Sequence, residues 1–274
     1  MYLDHWQLAA KPFEPSADGL FYYPSESHMG ATLKLRYAME NHRAAAVLAG
    51  PSGVGKTLLV QQLLGQLPGG EQPVVQVVYP QMPSRELLAY LAARLTSAEE
   101  TPQVTPSIDQ SLLRIEHYLT AAAERGERPM VVIDEAHLLE DAGTLECVRL
   151  LQNLQREGTP LLSLLLVGQS SLLSTLSRTP RLEERIDITA LVDPLSAEET
   201  HSYVQHRLGA AGATHELFTS AAVDTLHQLA HGVVRRINRL GDLALLLGYA
   251  GGATVVDTPL VQSVASELAF ARAA

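Results

Sequence analysis

Residues 50–57 read GPSGVGKT, which fits the pattern G-x-x-x-x-G-K-[ST]. Glycines at those places let backbone N–H groups curl around phosphate oxygens, and a helix opening at the lysine adds the positive end of its dipole. Lys56 at that spacing reaches β- and γ-phosphates, and the Thr57 hydroxyl can ligate Mg2+. At average residue frequencies the pattern arises by accident in roughly one chain in a hundred of this length, so its surroundings must decide. They are a buried apolar run before it, AAAVLAG (44–50), and an amphipathic run after it, TLLVQQLLGQL (57–67). A phosphate loop between strand and helix follows for Gly50, Pro51, Ser52, Gly53, Val54, Gly55, Lys56, Thr57 and Leu58, with ATP and Mg2+ as the expected ligands.

A second chemical stretch is VVIDEAHLL (131–139). A buried strand ending in Asp134 would bring that carboxylate to the Mg2+ held by Thr57, and Glu135 could then polarise an attacking water as general base. Alone, three apolar residues before Asp-Glu say little, because strands often end in acids. After a phosphate loop, with one strand between, the order carries weight. Gln169 ends the run LLLVGQ, where a neutral amide could orient the water or the γ-phosphate. In TPRLEERIDI, Arg178, Arg181 and Arg185 could each act in trans on a neighbouring subunit's nucleotide. Arg185 is favoured because it is expected to begin a strand just beyond a short helix; an ion pair with the local glutamates is the alternative. In HGVVRRINRL, Arg235 opens a helix after a glycine and could fold back on the nucleotide. Arg236 and Arg239, spaced i, i+3, share a face and read either as a DNA or partner contact or as a solvated face. His227 and His231 have metal-ligand spacing but no third ligand, so they read as a plain surface pair. Cys147 reads as a buried small hydrophobe.

The elements that would position these groups alternate between strand and helix. Strands are expected at 44–50, 73–80, 130–135, 161–169 and 185–192. Helices are expected at 57–67, 84–95, 108–125 and 143–157, and a polar loop at 96–107. The register changes at DPLSAEET (193–200), where Ser196 and Glu199 form a capping-box pattern. Only helical patterns follow: 197–211, 219–230, 233–248 and 258–270. The expected organisation is an α/β nucleotide-binding domain over 1–193 with an N-terminal extension, then a small all-α lid over 194–274.

Composition narrows the setting. The chain has 274 residues and a formal net charge of −10, which opposes indiscriminate phosphate binding; RRINR (235–239) is the densest basic run. A single cysteine gives no disulfide framework and suits the cytoplasm. The opening MYLDHWQLAAKPFEP lacks the apolar core of a signal peptide. The runs LLSLLLVG and LALLLGYAGGATVV are too short to span a bilayer, so no membrane span is expected.

Taken in order, GPSGVGKT, VVIDEAHLL, LLLVGQ, RLEERI and GVVRRIN resemble the AAA+ ATPases of the ExeA (general secretion pathway protein A) group. LAAKPFEPSADGLFYYPSESH is similar to that group's N-terminal run, followed by a helix into the first strand, so the likeness covers nearly the whole chain. It implies a P-loop NTPase fold of three αβα layers on a parallel sheet, followed by a helical lid. It also implies Walker A at Lys56 and Thr57, Walker B at Asp134 and Glu135, sensor 1 at Gln169, an arginine finger at Arg185 and sensor 2 at Arg235. The activity implied is Mg-dependent ATP hydrolysis in a ring or filament of copies, driving assembly of a protein complex in secretion or at the envelope. The group usually has DEAQ where this chain has DEAH, and GVPR where it has GVVR. ExeA proteins also continue into a transmembrane helix and a peptidoglycan-binding domain, neither of which is expected within these 274 residues. The same module resembles TniB, TnsC and MuB, which assemble on DNA and direct transposases, so a DNA-associated ATPase is the alternative expectation. A helicase, suggested by the letters DEAH, would need a second RecA-like domain, and the residues after 193 lack the strands for one.

Overall fold

The computed structural model describes residues 2–14, 19–66, 73–96, 106–139 and 141–273. Apart from its ends, the loop expected over 96–107 lies outside the described residues, as do residues 15–18 of the N-terminal run. The chain forms two compact units. One comprises residues 29–50 and 59–192; the other comprises 1–28, 51–58 and 193–274.

The first unit is built on a parallel sheet of β1 (Ala45–Ala49), β2 (Val74–Val77), β3 (Met130–Ile133), β6 (Ser163–Gly168) and β7 (Ile188–Leu191), in the order β2-β3-β6-β1-β7. Every residue of β1, β3 and β6 is buried, as parallel strands covered by helices on both faces require. That is why AAVLA, MVVI and SLLLVG are continuous apolar runs rather than alternating ones. The covering helices include α4 (Ser84–Leu95), α5 (Ile108–Glu124) and α6 (Ala142–Leu151). β6 lies between β3 and β1, with Ile133 and Val47 both level with Leu166. The C-terminal ends of three adjacent strands therefore carry Gly50, Asp134 and Gln169. Crevices outside those ends are where open α/β sheets bind ligands.

Two expected elements differ. The helix expected over 143–157 stops at Leu151. Beyond it, β4 (Gln155–Arg156) and β5 (Thr159–Pro160) form a small hairpin across Glu157 and Gly158. Both turn residues have positive φ, 54° and 80°, the backbone that a two-residue hairpin turn demands. The strand expected over 185–192 begins only at Ile188. Pro180 opens a short helix, α8 (Pro180–Glu183), and its turn runs on: Arg185 N–H donates to Leu182 O at 3.0 Å and Ile186 N–H to Glu183 O at 3.0 Å. Arg185 thus sits in a turn rather than at the start of a strand.

The second unit gathers α1 (Tyr2–Trp6), the start of α2 (Glu26–Glu40), the loop 51–58 and the helices α9 (Ala197–Ala210), α10 (Ser220–Ala230), α11 (Val234–Ala250) and α12 (Thr258–Ala273). The capping box at Ser196 is formed: its Oγ accepts from Glu199 N–H, and the Glu199 carboxylate accepts from Ser196 N–H. Trp6, only 1% exposed, donates its indole N–H to Leu245 O and packs where Gly248 leaves no side chain. Arg207, 4% exposed, reaches from α9 to three carbonyls of the N-terminal segment, those of Pro12, Glu14 and Phe21. Its guanidinium lies 4.9 Å from the Phe21 ring centroid, so this buried cation is satisfied by backbone oxygens and a π face.

Candidate functional site

The glycine loop follows β1 directly and runs into α3 (Lys56–Gly65). Gly53 and Gly55 have φ of +83° and +102°, backbone that L side chains rarely adopt. Gly53 is also crowded: a Cβ there would lie 2.8 Å from Arg235 Cβ and 3.2 Å from Val233 Cγ1. The crowding has a cause, because Arg235 N–H donates to Gly53 O at 3.0 Å. Arg235 is in the first turn of α11, so its N–H is among the donors a helix cannot satisfy itself, and the loop carbonyl satisfies it. Lys56, 9% exposed, turns its ammonium back onto Pro51 O at 2.8 Å. The loop is a cradle that a Cβ would fill, with a buried cation at its floor. That arrangement fits a polyphosphate.

Val54 is buried in the loop and Thr57 exposed at the start of α3. Ser52 borders a cavity of about 480 Å3 that Arg235, Arg236 and Arg239 also line, with Leu229 and Val233 among its apolar wall. All three arginines of RRINR therefore face one cavity beside the loop.

His28 is a residue that the sequence reading gave no role. It is 5% exposed, its Nδ1 bonds Ser25 Oγ, and its Nε2 lies 3.0 Å from where a Gly55 Cβ would stand. Burial pushes its pKa below the usual imidazole value, opposed by a hydrogen bond with the Val54 backbone and by the Glu199 charge. A neutral imidazole thus supports the loop from the N-terminal segment. The signal in the sequence was slight, one histidine inside SESH.

In the sheet unit, Asp134 and Glu135 stand just beyond β3. Asp134 N–H donates to Val77 O at 2.9 Å, which extends the ladder one residue, and Asp134 Oδ1 accepts from Glu135 N–H at 2.8 Å. Glu135 is left-handed, with φ 51° and ψ 33°, a conformation that costs a non-glycine residue on the order of 1–3 kcal/mol. A 3-10 turn over Ala136–Leu138 follows, closed by Leu138 N–H donating to Glu135 O at 2.9 Å. This turn sits against the end of β6, where Gly168 leaves room: a Cβ there would be 3.1 Å from His137 N. Gln169 follows Gly168 directly, ahead of α7 (Ser171–Ser177). The structure brings Glu135, His137 and Gln169 together, with His137 Nδ1 3.3 Å from Glu135 Oε2 and 3.4 Å from Gln169 N.

Arg178 and Arg181 are exposed and Arg185 is partly buried. Arg178 Nε donates to Ser174 O within its own helix. His227 is engaged with Thr200 Oγ1 at 2.9 Å, while His231 ends α10 in a left-handed cap. Cys147 packs partly buried against the sheet core, and burial raises its thiol pKa to about 11. Among the described residues, no helix is long and apolar enough to cross a membrane.

Residues 39–176 match the AAA domain family. The chain is 35% identical over 260 residues to general secretion pathway protein A of Aeromonas hydrophila, covering 92% of this chain and 46% of that protein. It therefore spans about half the length of the curated relative it matches. Similar solved structures include the Aeropyrum pernix ORC1 protein in complex with DNA (TM-score 0.71, 17% identity, 94% of this chain and 68% of that one). They also include Drosophila ORC bound to DNA (TM-score 0.71, 18% identity, 96% and 66%) and the RuvB Holliday junction branch migration motor of Thermotoga maritima (TM-score 0.61, 21% identity, 94% and 73%). At these identities the likeness is one of fold.

Proposed function

This chain belongs to the AAA domain family, and from that premise we propose that it hydrolyses ATP with Mg2+ to assemble or remodel a protein complex of the secretion or envelope kind. The observation that carries the nucleotide reading is the loop 51–58: two left-handed glycines and a buried lysine whose ammonium donates to Pro51 O. The choice of client rests on the identity with general secretion pathway protein A. The cytoplasm, where ATP is supplied, is the compartment this reading implies.

Bound ATP supplies the phosphoryl group and Mg2+ neutralises its charge. In this reading the loop N–H groups hold the phosphates, and Lys56 exchanges the Pro51 carbonyl for phosphate oxygens, a stronger charge-assisted partner. Mg2+, when bound, would be held by the Thr57 hydroxyl and the Asp134 carboxylate. Glu135 takes the proton of the attacking water, and Gln169 orients that water. Arg235 couples the nucleotide to α11, whose first turn already bonds the loop. Arg185, offered by a neighbouring copy, stabilises the transferring phosphoryl group, so turnover requires oligomers.

Arg185→Ala should lower turnover about a thousandfold; wild-type turnover there together with loss in Arg181→Ala would reassign the trans arginine. Glu135→Gln purified with ATP should accumulate nucleotide-bound oligomers, read by light scattering and electron microscopy with and without duplex DNA. Closed rings indifferent to DNA are expected. Filaments formed only on DNA would sink the secretion reading in favour of a DNA-directed one.

A further inference from the structure

Two successive carbonyls of the phosphate loop are held from other segments. Arg235 N–H donates to Gly53 O at 3.0 Å, and His28, from the N-terminal segment, bonds the Val54 backbone. The bond to Val54 raises the imidazole pKa, as only a bond donated by the ring can, so its acceptor is the Val54 carbonyl. Nε2 is the nitrogen on that side, 3.0 Å from where a Gly55 Cβ would stand. A neutral ring protonated at Nε2 presents a lone pair at Nδ1. Ser25 meets that need. Its Oγ bonds Nδ1 and accepts from His28 N–H at 3.3 Å, so its own hydrogen goes to the ring; Ser27 Oγ, at 3.2 Å, is the outer neighbour. The Tyr22 ring closes the site edge-on, at 6.1 Å between centroids. The peptide bonds here are trans, so each C=O and the N–H that follows it point in opposite directions. Turning Val54 O toward His28 therefore turns Gly55 N–H away from it, and turning Gly53 O toward α11 turns Val54 N–H away from that helix. Among the described residues, neither N–H donates to a protein acceptor. Val54 is fully buried, where an unmet donor is costly until a ligand takes it.

We propose that Ser25 and His28 form a relay that aims the Gly55 N–H at phosphate. Ser25 fixes the tautomer, His28 pins the Val54 carbonyl, and the rigid peptide plane carries that orientation to the other face of the loop. His28 is a positioning residue for nucleotide binding: it acts through the backbone and touches no phosphate itself. The proposal rests on the loop 51–58 as the phosphate site. It also gives Gly55 a second reason to be glycine. Besides its φ of +102°, a Cβ there would push the imidazole off Val54.

The test compares the full chain with His28→Phe, which fills the space without a donor, His28→Gln, which keeps a donor on the Nε2 side, and Ser25→Ala. Affinities for ADP and for inorganic pyrophosphate are measured by calorimetry, with 15N spectra of the imidazole and of the Gly55 amide. His28→Phe should weaken both ligands alike, by roughly tenfold to a hundredfold, as loss of one hydrogen bond to a charged group does. At saturating ATP its kcat should stay within about threefold of native, the loss falling on KM. His28→Gln should restore most of the affinity. The native imidazole should be protonated at Nε2 with Nδ1 accepting, and Ser25→Ala should mix the two tautomers. Pyrophosphate should shift the Gly55 amide in the native chain and in His28→Gln, and less in His28→Phe. Unchanged affinity in His28→Phe, a loss for ADP alone, or a loss in His28→Gln equal to that in His28→Phe would overturn the proposal. So would a native ring protonated at Nδ1, a result that needs no substitution and does not depend on any variant folding. A native chain that binds neither ADP nor pyrophosphate would instead bring down the phosphate-site reading, and the imidazole spectrum would still decide whether His28 pins Val54.

Discussion

The loop 51–58 and the β3–β6 end of the sheet are held in shape by different means. The loop is a backbone device: its form comes from two left-handed glycines, and its support from main-chain bonds, Gly53 O to Arg235 N–H above all. The sheet end is a side-chain device, in which a strained glutamate, a histidine and a glutamine share a single nitrogen. A backbone device tolerates no added Cβ but is indifferent to many neighbours. A side-chain device tolerates its backbone and fails when one partner changes chemistry. Binding should therefore be broken at glycines and the lysine, and turnover at residues whose loss leaves binding intact.

The largest expected effect is that of Lys56→Ala. Turnover should fall by at least about a hundredfold and ATP binding with it, while circular dichroism shows an unchanged fold. Glu135→Gln should match it in turnover, about a hundredfold to ten-thousandfold, yet keep ATP affinity within roughly threefold. Equal loss of binding in both would erase the distinction. Next comes Gly53→Ala against Gly158→Ala. Both positions are left-handed, worth about 1–2 kcal/mol against alanine, but only Gly53 is crowded by Arg235. Gly53→Ala should therefore cost a further 1–3 kcal/mol, roughly, by denaturant unfolding, and weaken nucleotide binding; Gly158→Ala should leave binding untouched.

The smallest effect concerns His28. Its native pKa is lowered by burial, so the unfolded chain binds a proton that the native chain resists, and stability falls as pH drops below the ordinary imidazole value of about 6.5. His28→Gln should flatten the decline in melting temperature as pH falls below about 6.5. A slope identical to the native chain's would mean that His28 binds protons alike in the native and unfolded states.

Much of this was readable from the residues alone. The glycine-lysine spacing located the loop, the continuous apolar runs located the buried strands, and Ser196 with Glu199 marked the helical segment's start. These are local signals, each set by a few consecutive residues. Arg185 was misplaced because RIDITALV reads as one extended run, whereas Pro180 upstream propagates a helical turn through it. The helix after VVIDEAHLL was drawn too long because Glu157–Gly158 act through backbone conformation, which periodicity does not register. His28 and His137 were not legible as supports because the loop glycine and the strand end they meet, Gly55 and Gln169, lie about 30 residues further along the chain. Trp6 and Arg207 go further, bonding residues 239 and 195 positions away.

That separation bears on the order in which the molecule can form. The clasp of Arg207 on the carbonyls of Pro12, Glu14 and Phe21 cannot close until the chain between them has been made and folded, and α11, whose first turn bonds Gly53, is later still. Long-range closures of this kind are slow, because chain entropy is lost before any contact is gained. The parallel sheet, complete by residue 191, can mature while the N-terminal segment waits. The phosphate cradle, early in the sequence, is thus among the last parts to acquire its shape.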